Sequence, residues 1–458
     1  MNKDFIRNTL LPILTNRRVV LLGLGKEGMS SIAFFERYFP EFELVLADRN
    51  SNTSIDAHIS HHEFHFGDDY LDCIRNGDFI VKSPGISLKN IILPKDIILS
   101  SQTDLFLRLF SNQVIGVTGT KGKSTTSSLI YHILKNQLSS VFLVGNIGVP
   151  ALEITESVKP DTWIVYEMSS HQLQYISKGP SRAVILNFHQ EHLDHYLDYA
   201  GYREAKWQIA VNQSEGDYFV FNTDDNLLIN DSQKIRIISN RLPVSLGDCE
   251  QAFACLNGEK IRIGTEELHF SRDKFILRGE HNIFNLLVSL TLTQSIGLDI
   301  DMALKSAYEF QGLEHRLEYV GVFHGIRFYN DSIATIPEAT INALKAIEEV
   351  ETLILGGFDR GIDYKSLVDF LLTYRPLNLL LIGQVGKRLI ESLDGKYAGK
   401  IIKAESLQHA VDQAYKLTKT DKTCLLSPAA ASYDSFKNFE DRGNQFKKMV
   451  REFSSETH

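Results

Sequence analysis

Seven consecutive residues, Gly119-Thr120-Lys121-Gly122-Lys123-Ser124-Thr125, are of the types needed to hold a polyphosphate. Glycines let backbone N–H groups approach phosphate oxygens, a lysine reaches the β and γ phosphates, and the hydroxyl of Ser124 or Thr125 can hold Mg²⁺. The common form of this loop has a further glycine five positions before Gly122, where this chain has Val117, so the loop is a shortened one. An apolar run, VIGVT, precedes it and STTSSLI follows, the strand-to-helix passage that such a cradle requires.

A second glycine loop, Gly23-Leu24-Gly25-Lys26-Glu27-Gly28, also follows an apolar run, and Asp48 stands 20 residues beyond Gly28 at the end of LVLAD. This is the dinucleotide-binding fingerprint, a pyrophosphate seated at a helix N-terminus. It allows a nicotinamide dehydrogenase, but UDP carries the same diphosphate, and the phosphate loop farther on favours the second reading. YEMSSHQLQ ends a strand-like run with Glu167, at the sheet edge where a metal beside the phosphate loop would lie. NFHQEHLDHY carries His189, His192 and His195. A spacing of three drifts around a helix, so His192 is taken as the functional one and the others as structural or exposed. HISHHEFH, residues 58–65, reads as a surface segment, and Lys206 in YREAKWQI as an ordinary amphipathic-helix lysine unless context raises it.

Three α/β blocks in series would position these groups: residues 1–99, 100–298 and 299–458, each alternating strand-like and helix-like runs. The first two would be a Rossmann-like domain and a P-loop ATPase-like domain; the third, built on IRFYNDS, ETLILGG, NLLLIGQ and TCLLSPA, is Rossmann-like again. A chain of 458 residues exceeds what one core usually organises. With 43% apolar and 23% charged residues and no apolar run of spanning length, a membrane-spanning helix is not expected, and a net charge of −9 without a basic block argues against nucleic acid. MNKDFIRNTLLPILTNRR reads as a short helix rather than a secretory signal. The four cysteines show no CxxC spacing, so neither zinc nor a disulfide is expected and a reducing cytoplasm fits.

Taken in order, GTKGKSTT, VGNIG, EMSSHQLQ, NFHQEHLDHY, YREAK and GEHNIFN resemble the Mur ligase family, whose members use ATP to add amino acids to the muramic acid precursor of peptidoglycan. The first block and SPAAASYDSFKNFEDRG are most similar to the branch that adds glutamate to UDP-N-acetylmuramoyl-L-alanine. The resemblance implies that Gly23, Leu24, Gly25, Asp48, Ser83, Gly85 and Asn146 bind the UDP substrate. It implies that Gly119 to Thr125, with Asn282, Arg316 and Asp331, bind ATP, and that Thr335, Arg360, Ser432 and Phe439 receive glutamate. Lys123, Glu167, His192 and Lys206 would be catalytic. Mg²⁺ would be held by Ser124, Glu167, His192 and, once its amine has captured CO₂ as a carbamate, Lys206. A cytoplasmic monomer is implied.

The chain departs from the family at two places. NDSIATIP has Ile333 where the family has lysine, and GGFDRG has Arg360 where a lysine binds the glutamate carboxylate. Isoleucine supplies no charge, and arginine imposes a planar fork. Both features resemble a branch that adds L-glutamate, so D- and L-glutamate stay open. A folylpolyglutamate synthase shares the central loop but lacks the GLGKEG block, and a regulatory NTP-binding module would have no use for Glu167, His192 and Lys206.

Overall fold

In the computed structural model, which describes residues 3–50, 60–190, 195–196, 198–374, 376, 378–433 and 435–456, the apolar runs become buried parallel strands. The first sheet contains β1 (Val19–Leu22), β2 (Leu44–Asp48), β3 (Glu63–Phe66), β4 (Phe79–Lys82) and β5 (Ile98–Ser100), all parallel, in the order β3-β2-β1-β4-β5. Successive residues of β1 enter different apolar clusters: Val19 and Leu21 one, Val20 and Leu22 the other. Because both faces are covered, the strand reads as an unbroken hydrophobic run instead of alternating with polar residues. Order reverses between β1 and β4, so the loops after these strands open the crevice where a doubly wound sheet takes its ligand.

The second sheet has nine strands: β6 (Val114–Thr118), β7 (Val141–Gly145), β8 (Trp163–Glu167), β9 (Arg182–Ile185), β10 (Tyr218–Asn222), β11 (Asn240–Ser245), β12 (Ala254–Asn257), β13 (Lys260–Ile263) and β14 (Glu266–His269). Their order is β14-β13-β12-β11-β10-β9-β6-β8-β7, parallel from β7 to β12 and antiparallel in the last two pairings. The first two sheets share one apolar core, in which Leu105, Phe106 and Phe110 of the buried helix Gln102–Phe110 join residues such as Ile6 and Leu10 to Tyr166 and Ile164. The helix Lys3–Leu14 enters that core through Ile6, Leu10 and Leu14, spaced four apart on one face.

The third sheet contains β15 (Glu318–Phe323), β16 (Ile326–Asn330), β17 (Val350–Gly357), β18 (Asn378–Ile382), β19 (Lys400–Lys403) and β20 (Thr423–Leu426), ordered β15-β16-β20-β17-β18-β19. Only the β15–β16 hairpin is antiparallel. The chain thus has mixed α/β architecture with three sheets in series. It forms two compact units: Met1–Phe275 with Glu280–Phe310, containing the first two sheets, and Ile276–Gly279 with Gln311–His458, containing the third.

One expectation is corrected. Cys249 and Cys255 are bonded as a disulfide, their Cα atoms 5.4 Å apart. The loop from β11 to β12 doubles back on itself, a proximity that scattered spacing does not reveal. Cys73 and Cys424 are free and buried. No helix among the described residues is long and apolar enough to cross a membrane.

Candidate functional site

Three groups of residues collect at the carboxyl ends of adjacent strands. At the first sheet, Gly23 follows β1 with φ +88°, a left-handed conformation that glycine adopts without strain. A side chain at Gly28 would stand 2.1 Å from the Gly23 carbonyl oxygen, so the helix Lys26–Tyr38 can begin this close to the strand only with glycine there. The Leu24 N–H donates to Asp48 Oδ2 at 2.6 Å, and Ser83 Oγ donates to the Gly23 carbonyl at 2.7 Å. Gly23, Leu24, Gly25, Asp48 and Ser83 are therefore one cluster, with Gly85 two residues beyond Ser83.

Sequence reasoning missed two charged groups beside it. Lys82 is buried at the end of β4 and donates to the carbonyls of Ile86, at 2.7 Å, and Ser83, at 3.2 Å. Burial pulls its ammonium down to about 8. Glu27 accepts from Gln172 Nε2 at 2.6 Å, and burial raises its carboxyl above the ordinary range. A lysine inside the apolar run FIVK was the available signal.

The second group surrounds β6. Gly122, at φ +84°, is the N-cap of the helix Lys123–Lys135. Lys123 Nζ donates to the carbonyls of Gly119, at 3.0 Å, and Thr120, at 2.9 Å. Glu167 ends β8 in register with Val117 of β6, and its Oε1 accepts from Asn146 Nδ2 at 2.9 Å. Asn146 thus stands by Glu167. Glu167 Oε2 is buried with no hydrogen-bond partner. An unpaired buried carboxylate oxygen beside a phosphate-type loop fits a hard divalent cation.

Lys206 is 2% exposed; its Nζ donates to the Gly119 carbonyl at 2.8 Å and to Thr118 Oγ1 at 3.3 Å, so it is no solvated helix lysine. Asn282 is joined to the loop through Asn285: Asn285 Nδ2 donates to Asn282 Oδ1 at 3.1 Å, and a side chain at Gly122 would lie 3.2 Å from Asn285 Oδ1. His192 lies outside the described residues. His189 is exposed, and His195 packs against His171 with ring centroids 4.0 Å apart. Asn187, not singled out beforehand, holds the loop from β9: its Oδ1 accepts from the amides of Lys121, at 2.8 Å, and Thr120, at 3.2 Å.

The third group belongs to the second compact unit, at the ends of β16, β20 and β17. Asp331 follows β16; its Oδ1 accepts from the Leu317 N–H at 3.1 Å and its Oδ2 from Ser427 Oγ at 2.8 Å. Arg316 is exposed, and its charge acts on Asp331. Arg360 Nη2 donates to the Thr335 carbonyl at 2.8 Å, joining the two loops that depart from the family pattern. Ser432 is 2% exposed, and the Phe439 carbonyl accepts from Ser332 Oγ at 2.8 Å. Arg442, also missed, is fully buried and donates to the carbonyls of Ser332, at 2.8 Å, and Ala430, at 3.0 Å.

Burial raises the Asp331 carboxyl from 3.8 to about 7. The folded state therefore holds this proton more tightly than the unfolded chain. Its contribution is complete below about pH 4 and is lost as pH rises through about 7. Asp331→Asn keeps an acceptor for Leu317 and offers Ser427 a donor, removing the titration. Denaturant unfolding at pH 5 and pH 8 is expected to show a fall in stability in the parent that the variant lacks; equal falls would refute the assignment.

Residues 117–293 match the Mur ligase middle domain, and residues 17–98 match the Mur ligase MurD-like N-terminal domain. The chain is 32% identical to the UDP-N-acetylmuramoylalanine–D-glutamate ligase of Thermoanaerobacter sp. (strain X514), over 96% of this chain and 99% of that protein. It is 33% identical to the ligase of the same name from Oceanobacillus iheyensis, over 95% and 98%. Among solved structures, the MurF ligase of Thermotoga maritima in complex with ADP superposes with a TM-score of 0.56 at 17% identity, covering 97% of this chain and 99% of that one, a likeness of fold.

Proposed function

The chain belongs to the Mur ligase family, and from that premise we propose that it joins glutamate to UDP-N-acetylmuramoyl-L-alanine at the expense of ATP, a step in peptidoglycan precursor synthesis. The observation that carries this reading is near full-length similarity to relatives bearing the D-glutamate ligase name. The convergence of the phosphate loop, the unpaired Glu167 oxygen and buried Lys206 supports it.

In this reading residues 1–99 hold the UDP substrate, 100–298 the nucleotide and 299–458 glutamate. The alanyl carboxylate oxygen bonds to the γ-phosphorus of ATP as the bond to ADP breaks. The glutamate nitrogen then attacks the acyl carbon, phosphate leaves, and the nitrogen loses a proton. A free carboxylate is a poor acylating agent, and phosphorylation gives it a leaving group. Lys123 binds the phosphates as a point charge, and the amides at the N-terminus of the helix Lys123–Lys135 orient them. Glu167, His192, Ser124 and carbamylated Lys206 would hold Mg²⁺, which when bound neutralises charge between the approaching anions. Asn282, Arg316 and Asp331 serve the nucleotide. Thr335, Arg360, Ser432 and Phe439 serve glutamate. The enzyme acts as a cytoplasmic monomer.

Ile333 and Arg360 support a second reading, in which L-glutamate is the acceptor. The deciding assay supplies UDP-N-acetylmuramoyl-L-alanine with each isomer separately and follows phosphate release with chiral analysis of the product. Release is expected only with both substrates present, and the isomer incorporated selects between the two readings. No dependence on either glutamate would sink the ligase assignment.

A further inference from the structure

We infer that Glu36, His61 and His62 form a binding site for one divalent transition metal ion, with Zn²⁺ the ion their donors suit best. HISHHEFH was expected to be a surface segment; of its described residues, 60–65, Ser60 and His61 are exposed, but the His62 side chain is only 1% exposed. Its Nε2 is buried without a hydrogen-bond partner and lies 3.8 Å from Glu36 Oε1. The His61 and His62 ring centroids are 3.9 Å apart, and one ligand atom from each of the three residues lies within 4.8 Å of the others.

Around tetrahedral zinc, with bonds of about 2.0–2.2 Å, ligand atoms stand roughly 3.3–3.5 Å apart. Reaching that spacing requires rotation of His61, which is exposed, and of Glu36, whose side chain is 24% exposed. The same exposure gives the ion a path in and leaves room for water as a fourth ligand. Two imidazoles and one carboxylate suit Zn²⁺, Ni²⁺ or Cu²⁺, whereas Mg²⁺ prefers oxygen alone.

The tautomer supplies an internal check. His62 Nδ1 accepts the Leu44 N–H at 3.3 Å, a long bond at the start of β2. A neutral imidazole that gives Nε2 to a metal carries its proton on Nδ1, so metal binding must release the Leu44 amide. The cluster shares no residue with the group around Glu167 and Lys206, and it ties the helix Lys26–Tyr38 to the segment entering β3.

The test uses full-length protein stripped with chelator and titrated with Zn²⁺ by calorimetry in excess Mg²⁺. One equivalent is expected in the parent and in Glu167→Gln, with binding weakened about 100-fold or more in His61→Ala and in Glu36→Gln. The Leu44 amide resonance should move on Zn²⁺ addition to the parent. No tight equivalent in the parent, its retention in both cluster variants, or its loss in Glu167→Gln would overturn the proposal. None of these outcomes depends on ligase activity, so the proposed reaction stands or falls separately.

Discussion

Lys123→Ala is expected to lower the rate of ATP-dependent product formation roughly 10³-fold, the loss typical of removing a charged donor from developing phosphate charge. The ammonium is the cation carried by the loop's own helix start, and it now holds the carbonyls of Gly119 and Thr120. Those bonds are local and the residue is only half-buried, so the fold loses little. Stability should change by less than about 1 kcal/mol, as for other surface substitutions. Measuring kcat beside thermal unfolding separates the two effects. Activity within tenfold of the parent would show that the loop does not carry the transferred phosphate.

Arg442→Met should destabilise the second compact unit by roughly 1–3 kcal/mol, the cost of leaving buried carbonyls without their hydrogen-bond donor. Arg442 is 0% exposed, and its guanidinium reaches Ser332 Oγ at 2.9 Å besides the carbonyls of Ser332, Ala430 and Ala431. Methionine fills much of the volume but leaves three buried carbonyls without that donor. Ser332 lies in the loop after β16, and Ala430 and Ala431 lie in the loop after β20. The arginine therefore fixes the spacing of two loops proposed to receive glutamate. KM for glutamate should rise more than KM for ATP; unchanged unfolding together with an unchanged glutamate KM would remove Arg442 from this role.

How much was legible varies from residue to residue. The strands of the first two sheets announce themselves because parallel strands covered on both faces need uninterrupted apolar runs, as in VVLL and VIGVT. The glycine loops are equally plain, since Gly28 and Gly122 occupy positions that side chains would block or strain. Arg442 was illegible by type: arginine is ordinarily a surface residue, and only the meeting of three chain segments around it makes burial tolerable. His62 was misjudged for the same reason, because a run of polar rings gives no hint that one of them turns inward.

The amino-acid order by itself determined the α/β class, the two phosphate-type loops and the order of charged groups behind the second. These rest on local rules, since strand burial and glycine conformation are set by neighbours a few residues away. Tertiary structure alone decided which distant groups meet. Sheet order sets β6 between β8 and β9, bringing Glu167 and Asn187 to opposite sides of one loop though they lie about 40 and 60 residues beyond it. It also buried Lys206 against the Gly119 carbonyl and left Glu167 with an unpaired oxygen. Such pairings depend on the strand order of the folded sheet, which no short stretch of sequence encodes.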